Sequence, residues 1–295
     1  MEESQREAKP LLKNHFPFPL QGEGDKGDRV AKHTKFVGGI MITMGIDPVA
    51  FTIGPIEVRW YGIMVALAVL TLVLWTLREV KKGANLSYET VLSAALVGIP
   101  SGVVVSRLLH VVDRWDYFSQ NLGQIPGASG LTIYGAVLGA ALGIWIYSRF
   151  SNFKFGYFAD VVAPGIILAQ AIGRVGCTIN GCCYGIVCSL PWGITYTNQG
   201  SLAPLGVAVH PTQIYEIIYL LIMFGVLLKL KGRLKPDGSL FLVYLGLYSL
   251  WRVGISVLRE GTPFLFGLQQ AQVIGIIVLA VVVFLTAYRT RWVKT

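Results

Sequence analysis

The sequence predicts an all-α, polytopic integral membrane protein with about seven transmembrane helices. Three observations predict it. Only 14% of the 295 residues are charged and 54% are hydrophobic, whereas a soluble domain carries about a quarter charged residues. Apolar stretches of roughly 20 residues recur, each long enough to cross a hydrocarbon core of about 30 Å. Basic residues, finally, gather in alternate connections between those stretches. The stretches are too long and continuous for the alternating strands of a barrel, and they argue for one membrane domain rather than several soluble ones.

The first element is a tail. Residues 1–45 mix Lys and Arg with Glu and Asp, are frequent in Pro and Gly, and lack apolar periodicity, which is a disordered composition. They also lack the continuous apolar core of a secretory signal. Met41 and Met44 follow closely, and the expectation is that translation starts at one of them. The membrane domain is then 46–295.

Seven spans follow in order, at about 57–77, 89–111, 131–150, 157–174, 211–230, 239–257 and 267–288. Arg78, Lys81 and Lys82 follow the first; Arg149 and Lys154 the third; Lys229, Lys231, Arg233 and Lys235 the fifth; Arg289, Arg291 and Lys294 the seventh. If the spans alternate, all of these share one side. The opposite connections hold Arg114 and Arg259, with no basic residue between 175 and 210. Basic residues mark the cytoplasmic side, so the N-terminal end of the first span is expected outside and the C-terminus inside. The net charge of +9 therefore reads as topology, and no nucleic-acid partner is expected.

Ionisable residues in a span cost roughly 2.5–3.5 kcal/mol each on insertion scales and are functional candidates. Those in or near spans are Arg59, Arg107, Asp160, Arg174, Glu216, Arg252, Arg259 and Glu260. Tyr248, Arg252, Ser256 and Arg259 fall at helical spacing on one face, and Arg174 lies at the same depth. Arginine binds phosphate bidentately and cannot be titrated away. Three arginines near the outer headgroups suggest a lipid phosphate; snorkelling to the interface is the alternative.

Gly135, Gly139 and Gly143 are spaced by four, the small-residue pattern that lets helices approach closely; Tyr134 beside them fits an interfacial tyrosine. His210-Pro211-Thr212 opens the fifth span, where Pro suits a first turn, and Gln213 and Glu216 share a face one turn apart. Cys177, Cys182, Cys183 and Cys188 have no C-x2-C pair, so a structural zinc site is poorly matched. Small buried thiols, one or two disulfides on an oxidising face, or a metal or catalytic role all stay open.

Several segments then carry a resemblance: "IEVRWYGIM" (56–64), "SRLLHVVDRWDYF" (106–118), "GLTIYGAVLG" (130–139), "DVVAPGIILAQAIGRVGCTINGCCYG" (160–185), "HPTQIYE" (210–216), "YSLWRVGISVLRE" (248–260) and "GLQQAQ" (267–272). In this order and spacing, from about residue 50 to 288, the chain resembles the bacterial prolipoprotein diacylglyceryl transferase family. The resemblance implies a multi-pass enzyme of the bacterial inner membrane. It implies transfer of the diacylglyceryl group of phosphatidylglycerol to the lipobox cysteine thiol in the signal peptide of a preprolipoprotein, the first step of lipoprotein maturation. A thioether forms and glycerol phosphate leaves. No cofactor and no metal are implied; the substrate needs no nucleotide, in keeping with the absence of a phosphate-cradling Gly-rich loop.

Residue by residue, the resemblance places Arg174, Tyr61, Asn180, Gly185, Arg259 and Gln272 in substrate binding and Arg252 and Tyr248 in catalysis. Arg174 and Arg252 are expected to grip the headgroup phosphate, and Tyr248, Tyr134 or His210 to help deprotonate the thiol. The chain departs from the family pattern at four positions. Tyr134 stands where the family has histidine, Cys177 where it has asparagine, and Cys182 and Ser256 where it has glutamate. These departures leave room for a paralogue with another lipid-linked acceptor. Two other classes remain beside it: a membrane anion transporter and a membrane thiol oxidoreductase.

Overall fold

A computed structural model of the protein describes residues 42–125, 132–259, 261, 263–289 and 291–292. Residues 1–41 of the expected tail, Glu260 and Lys294 lie outside the described residues. Among the described residues, seven helices are long and apolar enough to cross a membrane. They are α1 (Trp60–Lys81), α2 (Tyr88–Asp113), α3 (Ile133–Phe150), α4 (Phe155–Asn180), α5 (Thr212–Leu230), α6 (Ser239–Ile255) and α7 (Gln270–Arg289).

Local chemistry sets their ends. The Ser87 hydroxyl accepts from the Thr90 N–H at 2.9 Å and caps α2. Gly181, left-handed at φ 70°, closes α4. At the end of the bundle where α4 and α6 begin, Asp160 accepts from the backbone N–H groups of Gly238 (2.7 Å) and Phe241 (2.8 Å). A carboxylate from one helix thus satisfies the orphan donors of another. Nearby, the buried Glu79 of α1 pairs with Lys231 and with Lys82. Asp160 is therefore a structural lock, and Arg107 is another: it donates to the carbonyls of Ile125 (2.8 Å) and Gln124 (2.6 Å) and lies over the Phe118 ring.

Packing centres on α4, which contacts α1, α5 and α6, while α2 pairs with α3 and α6 with α7. Ala163, Ile167 and Ala171 of α4 meet Leu220, Met223 and Leu227 of α5 and Leu240 and Tyr244 of α6 in the main core. The glycine stripe does what its spacing predicts: a Cβ on Gly135 would lie 2.5 Å from the Ser106 Cα, and one on Gly139 2.5 Å from the Ser101 carbonyl oxygen. Large apolar side chains such as Leu96, Val137 and Phe284 point outward, the surface a lipid-facing bundle presents.

The fold departs from the expected elements in four places, each at an end. The fourth span reaches Asn180 rather than 174, so Cys177 and Asn180 are helical. Arg59 stands just outside α1, 3.7 Å from Glu57. On α6 the α-helix stops at Ile255, a 3-10 turn covers Ser256–Leu258, and Arg259 is extended. Arg259 therefore leaves the helical face shared by Tyr248 and Arg252. Short strands, finally, accompany the helices. Val49–Ile53 and Ile56–Arg59 form a hairpin, and Ile42–Met44 pairs in parallel with Ile194–Tyr196, which pairs antiparallel with Ala208–Val209. Residues 42–44, expected in the tail, thus join the folded domain. These strands are two to five residues long, too short to show a period in sequence.

Candidate functional site

Three helices each deliver one polar group to a single point. Arg174 lies nearly two turns before the end of α4, Glu216 one turn into α5, and Tyr248 in the second half of α6. Arg174 Nη2 is 2.9 Å from Glu216 Oε1, with the two side chains 17% and 3% exposed. The Tyr248 hydroxyl donates to the same carboxylate oxygen at 3.4 Å. One turn beyond Tyr248, Arg252 has a buried Nη1 with no hydrogen-bond partner among the described residues. A buried guanidinium donor left open costs free energy unless a ligand fills it, which makes this group a candidate to receive an anion.

The segment after α4 folds back on the helix that precedes it. Gly181 and Cys183 are both left-handed, at φ 70° and 64°, and the turn they make returns Cys182 and Cys183 to Cys177. The Sγ atoms of these three residues lie within 4.8 Å of one another. Arg174 Nη1 points at Cys177 Sγ, 3.9 Å away. The first turn of α5 fixes the loop, since Gln213 Nε2 donates to the Cys182 carbonyl (2.7 Å) and Thr212 Oγ1 to the Cys183 carbonyl (2.6 Å). Hydrogen bonds from Cys177 and Cys182, with Arg174 and Arg259 in electrostatic reach, hold the Cys183 thiol below the ordinary thiol range. All four cysteines are free thiols, and Cys188 stands outside the cluster. Burial pushes the Tyr196 phenol up to about 12, and its hydroxyl donates to the Thr178 carbonyl at 3.1 Å.

The remaining expected residues divide into those that join this cluster and those that frame it. Asn180, the last residue of α4, is buried with an unpartnered Oδ1, and its side chain stands beside Cys182. Tyr61 of α1 lies across from Arg174 and the three thiols, against Gly176. His210 Nδ1 is 3.3 Å from the Tyr215 hydroxyl. Gly185 is the crossing point of the loop: its N–H donates to the His210 carbonyl at 2.9 Å, and an added Cβ would lie 2.5 Å from the Leu258 carbonyl oxygen. Gln272 accepts from the Gln269 N–H at 2.9 Å, and Gln269 Nε2 in turn donates to the carbonyls of Ser256 (3.1 Å) and Arg259 (2.9 Å). Gln272 thus reaches the arginine segment through Gln269. Tyr134, exposed on α3, shares no hydrogen bond or ion pair with Arg174, Glu216 or Tyr248 among the described residues.

Two features were not foreseen. Glu216 and Gln213 share a helix face in sequence, but nothing local says that Arg174 and Cys182 are what they meet. The thiols are separated by a helix end, so no ligand-spacing pattern announces their convergence.

Comparison with known proteins identifies the family. The family profile described as prolipoprotein diacylglyceryl transferase matches residues 48–288. A protein of Dehalococcoides mccartyi named phosphatidylglycerol–prolipoprotein diacylglyceryl transferase is 53% identical over 251 residues, covering 85% of this chain and 96% of the relative. A protein of the same name from Clostridioides difficile is 38% identical over 234 residues, 79% of this chain and 91% of the relative. Another, from Listeria innocua, is 34% identical over 254 residues, 83% and 90% of the two chains. With seven apolar helices and a profile match across nearly the whole helical domain, the chain belongs to the prolipoprotein diacylglyceryl transferase family.

Proposed function

We propose that this protein transfers the diacylglyceryl group of phosphatidylglycerol to the lipobox cysteine thiol of a preprolipoprotein. The observation that carries the residue assignment is the open Arg252 Nη1, buried one turn from Tyr248 and beside the Arg174–Glu216 pair. A departing phosphate ester is the anion that this donor and the Arg174 guanidinium are suited to receive. The acceptor sulfur attacks the terminal glyceryl carbon, a C–S bond forms, and the C–O bond to phosphate breaks with its electron pair leaving on oxygen. Arg174 and Arg252 stabilise that charge. Glu216 holds Arg174 in place, and Tyr248 bridges the carboxylate to α6. His210 and Tyr248 are the candidate proton acceptors.

The site end of the bundle is assigned to the outer face of the bacterial cytoplasmic membrane, because Arg78, Lys81, Lys82, Lys229, Lys231, Arg233 and Lys235 lie at the other end. Residues 1–41 are assigned as a tail outside the catalytic domain. The test is complementation. Residues 42–295 are expressed in a bacterium depleted of its own transferase, and labelled lipid incorporation into a lipoprotein is assayed. Restored labelling that is lost with Arg252→Ala supports the reading; absent labelling with verified membrane insertion overturns it.

A further inference from the structure

We propose that Cys177, Cys182 and Cys183 form a three-thiolate zinc site whose open fourth position takes the acceptor thiol as a thiolate. The inference rests on the diacylglyceryl transfer proposed above and adds the means by which the nucleophile is made.

The geometry fits the ion. A Zn–S bond of about 2.3 Å in a tetrahedral site places its sulfurs about 3.8 Å apart, and the three Sγ atoms already lie within 4.8 Å of one another. Small rotamer changes close the remainder. The donors are all thiols, which select zinc and other soft or borderline ions over magnesium or calcium. Their number also matters. Structural zinc sites are closed by four protein ligands, whereas catalytic sites keep three and leave one position open. Here the fourth cysteine, Cys188, stays out of the cluster, its N–H bonded to the Ala208 carbonyl at 3.0 Å.

The surroundings are built to hold the trio. Left-handed backbone costs a residue with a Cβ about 1–2 kcal/mol, yet Cys183 adopts it at φ 64°. Thr212 and Gln213 of α5 fix the carbonyls of Cys183 and Cys182, so a separate helix holds the sulfurs in place. Asn180, buried with an open Oδ1, stands beside Cys182, where outer groups sit around metal ligands. Four thiolates on Zn2+ carry two net negative charges; Arg174, 3.9 Å from Cys177 Sγ, and Arg259, in reach of Cys183, offset them. Arg174 touches both Cys177 and Glu216, so a zinc-bound sulfur would stand beside the group assigned to the phosphate.

The step balances without redox change. The acceptor S–H loses its proton to His210 or Tyr248, the proton acceptors proposed above, as sulfur coordinates, since metal binding lowers the thiol's hold on its proton. The bound thiolate then forms the C–S bond while the C–O bond breaks, and the electron pair leaves on the phosphate oxygen. The thioether is a weaker ligand than a thiolate and dissociates.

The experiment uses the full chain purified in detergent. Zinc per polypeptide is measured by elemental mass spectrometry in wild type, Cys182→Ser, Cys183→Ser and Cys188→Ser. The wild type and Cys188→Ser are expected to hold about one zinc per chain, and the other two to hold at least about tenfold less. Cobalt(II) then replaces zinc, and its thiolate charge-transfer band is recorded with a lipobox-cysteine peptide and with the same peptide carrying serine. A band change with the cysteine peptide alone is expected. Chelator stripping of folded wild type covers the case in which the serine variants fail to fold, and loss of transfer restored by zinc is expected. Three results each overturn the proposal: no zinc in wild type, a Cys177–Cys182 disulfide in the purified protein, or full transfer by the stripped enzyme. A cobalt band indifferent to the peptide overturns the acceptor's role as ligand. In contrast, stoichiometric zinc with no transfer from phosphatidylglycerol overturns the function proposed above.

Discussion

Arg174 on α4 and Glu216 on α5 meet at 2.9 Å with the carboxylate only 3% exposed. Two charges in that setting are worth keeping only as a pair, because removing one strands the other. Glu216→Ala is expected to destabilise the protein by about 3 kcal/mol and to reduce transfer. Glu216→Gln, which still accepts from Arg174, is expected to unfold closer to wild type. Thermal unfolding in detergent, run beside a transfer assay, separates the two.

Arg252 offers a buried Nη1 that no described residue accepts. Lysine keeps the charge but loses the planar fork. Arg252→Lys is therefore expected to fold normally and to lose about 100-fold in transfer rate, the scale on which a single donor to developing charge counts. Steady-state kinetics with varied phosphatidylglycerol checks it; a rate within a few-fold of wild type would show that Arg252 is not at the phosphate.

Gly185 is held by packing on three sides. A Cβ there would meet the Leu258 carbonyl at 2.5 Å, His210 Cβ at 2.7 Å and Thr212 Cγ2 at 2.8 Å. Two of these contacts are close to rigid backbone, so the loop must move. Gly185→Ala is expected to cost about 1–3 kcal/mol and to lower transfer by shifting the thiol loop and His210 together.

The α2–α3 contact makes a matched pair of substitutions. Gly139→Ala would place a Cβ 2.5 Å from the Ser101 carbonyl oxygen, whereas Gly225→Ala on α5 meets nothing within 4 Å. The first is expected to lower the unfolding temperature. The second is expected to leave it unchanged or raise it, since alanine gains about 1 kcal/mol over glycine in a helix. Thermal unfolding of both variants in one detergent decides between a packing role and a merely compositional one.

Much of the molecule was legible because a bilayer leaves the chain few choices. Seven apolar runs became seven helices with their expected order, since only helices satisfy the backbone in lipid at that length. The glycine spacing foretold the α2–α3 approach; Arg174 and Arg252 stand out because charge in a span needs a reason, and Tyr248 because it shares a helix face with Arg252. Less legible were the ends. Arg259 left the face it was expected to share when α6 changed to a 3-10 turn, and six more residues than the spacing suggested joined the end of α4 as helix before Gly181 closed it.

What the sequence by itself determined is the membrane class, the number of spans and which arginines lie within them, because hydropathy and the cost of charge in lipid are local properties. What only the tertiary structure decided is which of those groups meet. Arg174 and Glu216 lie 42 residues apart, and their contact depends on α4 and α5 packing through Ile167, Leu220 and Met223. The three thiols converge for the same kind of reason. Two left-handed residues turn the chain back, and side chains from another helix hold it there. No spacing rule encodes such a meeting, because the groups that enforce it are distant in the chain.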